Sequence, residues 1–294
     1  MVIRNLSIII LFLFVQFALC QSNNSPNTIE EYIELCKTNL DSNNPLEAVK
    51  FGEKAVKLEV INADAHYWLG QAYGSMAQEA PIYKKFFYAK KCKREWEKAI
   101  HFNKKHIEAR KMLISYHLQA PSIVGGDKGI AMDLANEVNK LDVLQGYLVF
   151  GQIFISQKKY NEAEQEYQKA IEFDPSETDS YYHLSFLHKK QENYTKSKEI
   201  LLEMLRVKPE EFGVYYQLGR IVFLSGENLS EGITYFEKYL AQEENNKNLA
   251  FTHWRIGEIY EKLNDKVNAK NEYNVALKLD PSNKQAKKAL KELE

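Results

Sequence analysis

The chain has 294 residues, with 39 Lys plus Arg against 40 Asp plus Glu and a formal charge of −1. That balance gives no global charge excess to draw nucleic acid or an anionic membrane. A hydrophobic content of 45% excludes wholesale disorder, and the presence of only 7 prolines suits a helical chain.

Residues 1–20 differ from the rest. Arg4 places a positive charge near the start, and an apolar run from Ile8 to Leu19 is broken only by Gln16. Polar residues 21–25 follow. This order describes a secretory signal peptide, and the run is too short for a comfortable membrane span. Cleavage after Cys20 is expected, leaving Gln21 as the mature terminus, 21–28 as a linker, and the protein exported to the periplasm or outside a bacterium. Lipid attachment at Cys20 and an uncleaved anchor stay open; Leu19 departs from the small residue that usually precedes a lipidated cysteine. Export permits a disulfide between Cys36 and Cys92. Both stand where other repeats carry Gly, Ala or Ser, so the simpler reading is two small buried side chains.

Beyond residue 28 the chain repeats itself. Gly151, Ser185 and Gly219 are 34 residues apart, and so are Pro175 and Pro209. A fixed period of this size means stacked supersecondary units that present an extended surface. Inside a unit the apolar spacing is helical: Tyr147, Phe150, Gly151 and Phe154 form one stripe, and Ala163, Tyr167, Ala170 and Ile171 a second. A break at 157–159 separates them, and Pro175 ends the second. Each unit therefore reads as two antiparallel helices.

In chain order the units are about 29–62, 63–105, 106–143, 144–177, 178–211, 212–249 and 250–283, with 284–294 as a polar C-terminal capping helix. The second unit has about ten extra residues, expected between its helices, and 76–104 is a long basic and aromatic helix candidate. The third carries a longer loop at 119–129, and the sixth has extra residues at 226–229 and 242–247. Small residues recur on facing stripes, Gly151 with Ala163, Ser185 with Ser197, Gly219 with Gly232 and Gly257 with Ala269. Glycine inside a helix costs roughly 1 kcal/mol against alanine, so close packing at this site is expected to outweigh that cost.

The segments HYWLGQAY (66–73) and AKNEYNVALKLDP (269–281) resemble the tetratricopeptide repeat. The resemblance covers about 29–283. It implies an all-α tetratricopeptide-repeat α-solenoid, a right-handed superhelix of about seven helix pairs. The enlarged second unit, followed by Ala120-Pro121 and Gly125-Gly126, is also similar to a group of secreted bacterial tetratricopeptide proteins, which supports export. In this family the first helix of each unit lines a concave groove. The groove-facing residues would be Tyr67, Gln71, Arg110, Ile114, Tyr182, Phe186, Lys189, Tyr216, Arg220, Trp254 and Glu258. Aromatics mixed with arginine suit an interface; a merely solvated groove is the plainer alternative. The paired asparagines with which some relatives clamp acidic chain ends are missing.

Other chemistry finds little support. The sequence GGDKG at 125–129 lacks the Gly-Lys-Ser/Thr ending of a phosphate cradle; the glycines suit a turn and Asp127 a helix cap, with a binding loop as the alternative. The 7 histidines form no HExxH, and there is no Cys-x-x-Cys, so no metal site is expected. No nucleophile elbow, catalytic group or cofactor site is expected either. The run Lys84 to Arg94 is basic with aromatics interleaved, a pattern that suits a membrane surface or nucleic acid. The simpler reading packs Phe87, Lys91 and Trp96 onto the array and leaves the charges in water. The expectation is a non-catalytic scaffold of the bacterial envelope with a protein or peptide partner and no nucleic acid. Membrane contact would come only through the signal peptide or a lipid on Cys20. The alternative is a periplasmic protein delivering a small molecule or peptide to a transport system, which a sealed cavity would favour.

Overall fold

The computed structural model describes Pro26, residues 28–242 and residues 249–293. The expected signal peptide, Cys20, most of the linker and the 242–247 insertion beyond Gln242 lie outside the described residues.

Every regular element among the described residues is helical. The first six α-helices are α1 (Ile29–Asp41), α2 (Pro45–Leu58), α3 (Ala63–Glu79), α4 (Ile82–Phe102), α5 (Ile107–Gln119) and α6 (Lys128–Leu141). They belong to a compact unit that ends at Asp142. A second unit runs from Val143 and holds α7 (Val143–Ser156), α8 (Tyr160–Phe173), α9 (Thr178–Lys190), α10 (Tyr194–Val207), α11 (Gly213–Ser225), α12 (Leu229–Leu240), α13 (Leu249–Lys262), α14 (Lys266–Leu279) and α15 (Lys284–Glu292). Each odd-numbered helix from α1 to α13 packs against the even-numbered one that follows.

Local chemistry sets the helix ends. Thr28 and Glu31 form a reciprocal capping box at α1, and Asn62, Asn193, Asp265 and Asn283 each accept a backbone N–H at the start of a helix. In five pairs the turn between the two helices contains a residue with positive φ, namely Asn43, Lys158, Glu192, Asn228 and Asn264. Asparagine tolerates that region; lysine and glutamate do so at a cost of roughly 1–2 kcal/mol.

In the pairs α7–α8, α11–α12 and α13–α14 the seam differs from the sequence reading. The glycine of the first helix is covered by an aromatic ring one turn beyond the small residue expected to face it. A Cβ would fall under 3.0 Å from Tyr167 at Gly151, from Phe236 at Gly219, from Tyr273 at Gly257 and from Trp96 at Gly70. Serine replaces glycine in α9, where Ser185 and Ser197 do meet, their hydroxyls 2.8 Å apart and buried. In that pair Leu201, not an aromatic, occupies the position four residues after the small one.

Two elements depart from the regular pair. The ten extra residues of the second unit do not form a loop. They lengthen α3 to 17 residues and α4 to 21, joined through Ala80 and Pro81. In the third unit the longer loop is ordered by its glycines. Gly125 has φ 94, and Gly126 presses on the Ala120 carbonyl so closely that no Cβ fits. Asp127 then caps α6 by accepting from the Gly129 and Ile130 amides. At the far end, α15 buries Ala286 and Ala289 in a cluster with Trp254, Ala269, Tyr273 and Ala276. Its lysines stay in water.

Candidate functional site

The first helices of the pairs carry the candidate residues, and burial shows which way each one faces. Counting from the small residue of the seam, the positions one residue before it and two after are buried in α3, α9, α11 and α13. The positions three before, two before and one after are open or partly so, Trp254 excepted.

In the second unit, α9 and α11 enclose an open groove of about 640 Å3. Tyr182, His183, Phe186, Lys189, Gln217 and Arg220 line it. Phe186 is 48% exposed. Its ring lies 5.0 Å from the Lys189 ammonium, and Arg220 stands 5.9 Å from the Tyr216 ring and donates to Gln217. Burial, and then the neighbouring Arg220 charge, hold the Lys189 ammonium below its ordinary range. Tyr182 donates to Glu211, and burial pushes its hydroxyl above the ordinary tyrosine range. Tyr216 packs on Phe236 and Tyr239.

On α13, Trp254 is only 9% exposed. It lies beneath Arg255, whose guanidinium is 4.3 Å from the indole centre. Arg255 also pairs with Glu258 at 2.7 Å. Burial raises the Glu258 carboxyl above its ordinary range despite this pair. Trp254 is therefore a buried platform rather than an anchor offered to a partner. The residues two before the small seam residue, His183, Gln217 and Arg255, are also open or partly so, and the sequence reading does not include them. The repeat itself carries the signal, since the same register recurs in three successive first helices.

In the first unit, Tyr67 and Gln71 are half-buried. Gln71 donates to the Tyr67 hydroxyl, and the Tyr67 ring packs between Trp68 and His106. Gln71 opens onto a second open groove of about 780 Å3, lined in part by Trp68, Phe86, Met112, Ser115 and Tyr116. Arg110 and Ile114 do not belong to this surface. They are 4% and 0% exposed, and Arg110 pairs with Glu137 at 2.9 Å and donates to the His106 carbonyl. The burial pattern of α5 shows why: Ile114 occupies the seam position held elsewhere by glycine or serine, so the open residues are Lys111, Met112 and Ser115. A bulky side chain at that position hid the register. The matching helix α6 carries fully buried Ala131 and Ala135, so bulk and smallness have changed sides.

Buried charge in the first unit ties the second pair together. His66 Nδ1 lies 2.7 Å from Glu95 and its Nε2 2.8 Å from the Val60 carbonyl. Burial raises the Glu95 carboxyl, but hydrogen bonds with His66 and Lys98 outweigh it and hold the group below its ordinary range. Cys36 and Cys92 are free and buried, and burial pushes both thiols up to about 12. No group of metal-binding side chains occurs among the described residues, and no helix among them is long and apolar enough to cross a membrane.

Residues 151–192 match the family described as TPR repeat, and residues 178–211 and 252–283 match tetratricopeptide repeat. The chain thus carries tetratricopeptide repeats over these residues. Its solenoid fold is shared by a tetratricopeptide repeat protein from Parabacteroides merdae, at a TM-score of 0.53 and 18% identity, covering 90% of this chain and 98% of that one. Anaphase-promoting complex subunit 3 of Schizosaccharomyces pombe is 27% identical over 136 residues, which are 46% of this chain and 20% of that protein. Protein O-mannosyl-transferase TMTC3 of Homo sapiens is 26% identical over 241 residues, 75% of this chain and 23% of that protein. The chain thus spans about a fifth of the length of these curated relatives.

Proposed function

We propose that this tetratricopeptide chain is a non-catalytic interaction scaffold exported to the bacterial cell envelope. Its groove between α9 and α11 holds an extended or helical segment of another envelope protein. The observation that carries this reading is the pair Lys189 and Arg220. Both are partly buried and share one groove with Phe186 and Tyr182, and neither forms an ion pair among the described residues. Two adjacent cations raise each other's cost of burial, and an acidic group of a partner removes that cost. The exposed Phe186 offers an apolar contact beside them. A relative that is named as a subunit of a complex supports a protein partner. Export rests on the pattern of residues 1–20, and N-terminal sequencing of the mature protein should find Gln21. Both grooves are open, so the alternative of a sealed small-molecule carrier gains no support.

The test is affinity capture from envelope extract, with bound proteins identified by mass spectrometry and then titrated. Lys189→Glu with Arg220→Glu should slow association and reverse its salt dependence, because charge complementarity acts mainly on encounter. Phe186→Ala should speed dissociation. A partner that binds parent and variants alike would remove the groove from consideration.

A further inference from the structure

The first turns of α4 carry apolar side chains left open to water. Ile82 is 71% exposed, Tyr83 73%, Phe86 42% and Phe87 55%. Ile123, on the 3-10 turn Ser122–Val124 that packs beside this helix, is 86% exposed. Phe86 and Val124 line the same groove, so the two segments are neighbours. Single exposed apolar residues are ordinary on a protein surface, whereas a cluster of this kind marks an interaction face. The expectation that Phe87 packs onto the array is not met; Trp96 and the stem of Lys91 do pack, with the Lys91 ammonium 4.5 Å from the Tyr73 ring.

Along this stretch of the helix itself the formal charge has one sign. Residues 82–94 contain Lys84, Lys85, Lys90, Lys91, Lys93 and Arg94 and no acidic residue. The next carboxylate, Glu95, is buried and bound to His66, Arg94 and Lys98. Ile82, Phe86 and Lys90 follow one another at four-residue steps along one side of the helix. At about 1.5 Å per residue the exposed apolar residues fall within roughly the first 8 Å, with Lys84 and Lys85 among them and Lys90 one turn on. Apolar side chains interleaved with lysines suit a bilayer surface, where apolar groups enter the acyl boundary by about 5–10 Å and long basic side chains reach back to the phosphates.

We propose that this end of α4, with Ile123 beside it, docks on an anionic lipid surface. The exposed apolar side chains enter the boundary, and Lys84, Lys85 and Lys90 meet the headgroup phosphates. A second copy of the chain is a poor occupant, because two such basic faces repel. Nucleic acid would satisfy the cations and leave Ile82 and Ile123 in water.

The test uses the full chain and two kinds of vesicle, equal parts phosphatidylglycerol and phosphatidylcholine, and phosphatidylcholine alone. The apolar segment 8–19 contributes equally to both, so the readouts are the preference for anionic vesicles and local hydrogen-exchange protection. Protection should appear at 82–90 and 121–125 with anionic vesicles. Each lysine near such a surface is worth about fivefold in partitioning, so Lys84→Gln, Lys85→Gln and Lys90→Gln together should cost roughly 100-fold. Phe87→Ser with Ile123→Ser should remove the protection; both positions are exposed, and an unchanged circular dichroism spectrum verifies the fold. Equal partitioning of parent and lysine variant would overturn the proposal. So would a parent that ignores anionic vesicles but binds polyglutamate through these lysines, which would make the face a protein-docking surface.

Discussion

The pair α7–α8 and the pair α3–α4 solve one packing problem at two sizes. In the first, Gly151 accepts the ring of Tyr167, 16 residues later; in the second, Gly70 accepts Trp96, 26 residues later. The seam is the same although ten residues have been added. Close packing of glycine on a ring depends only on what stands at the crossing of the two helices. Residues inserted beyond the crossing extend both helices past it, where they no longer face the seam. In α4 those added turns are where Ile82, Tyr83 and Phe87 stand exposed. An insertion that keeps the seam can therefore acquire a surface role without disturbing the array.

Several measurements would break or sharpen this comparison. The largest effect is expected from Trp96→Ala and Tyr167→Ala, each about 3–5 kcal/mol by chemical denaturation, because each empties a seam. If Trp96→Ala cost much less than Tyr167→Ala, the enlarged pair would not share the regular seam. Gly151→Leu or Gly219→Leu should cost about 1–3 kcal/mol by overpacking against the ring. Hydrogen exchange should show the damage in the altered pair and its immediate neighbours, since contacts in such arrays run between neighbours.

One pH effect belongs to the enlarged pair. Glu95 is held below its ordinary range in the folded chain. Its contribution is thus fully present above the unfolded value of about 4.3 and is lost as pH falls below it toward the folded value. Glu95→Gln should flatten the acid limb of a stability–pH profile; an unchanged limb would remove the His66–Glu95 pair from the account. In the regular pairs, Glu192→Asn should stabilise by about 0.5 kcal/mol, since asparagine accepts the positive φ of 60 at that turn. The smallest effect is expected from Phe87→Ser, within about 0.5 kcal/mol. Phe87 lies nine residues before Trp96 on the same helix, and the contrast between the two would locate the boundary between seam and surface.

The same reasoning carries to the groove. Binding of an acidic partner should weaken as pH rises toward the titration of Lys189, which begins below the ordinary lysine range. Lys189→Arg should remove that dependence, because arginine stays charged.

Much of the architecture was legible in the chain itself. The period of 34 and the alternation of apolar stripes with turn residues specify helix pairs, because periodicity dictates which residues share a helix face. Tyr182, Phe186, Lys189 and Arg220 were placed on one face by that register taken together with the resemblance to the tetratricopeptide repeat. What no periodicity contains is the identity of the side chain that covers a given face. Tertiary packing decided that glycine receives a ring rather than another small residue. It decided that Ile114 takes the seam and shifts the register of α5 by one, that Trp254 lies beneath Arg255, and that Phe87 is left in water. Each depends on the bulk and reach of side chains distant in sequence, and only their arrangement in space brings those together.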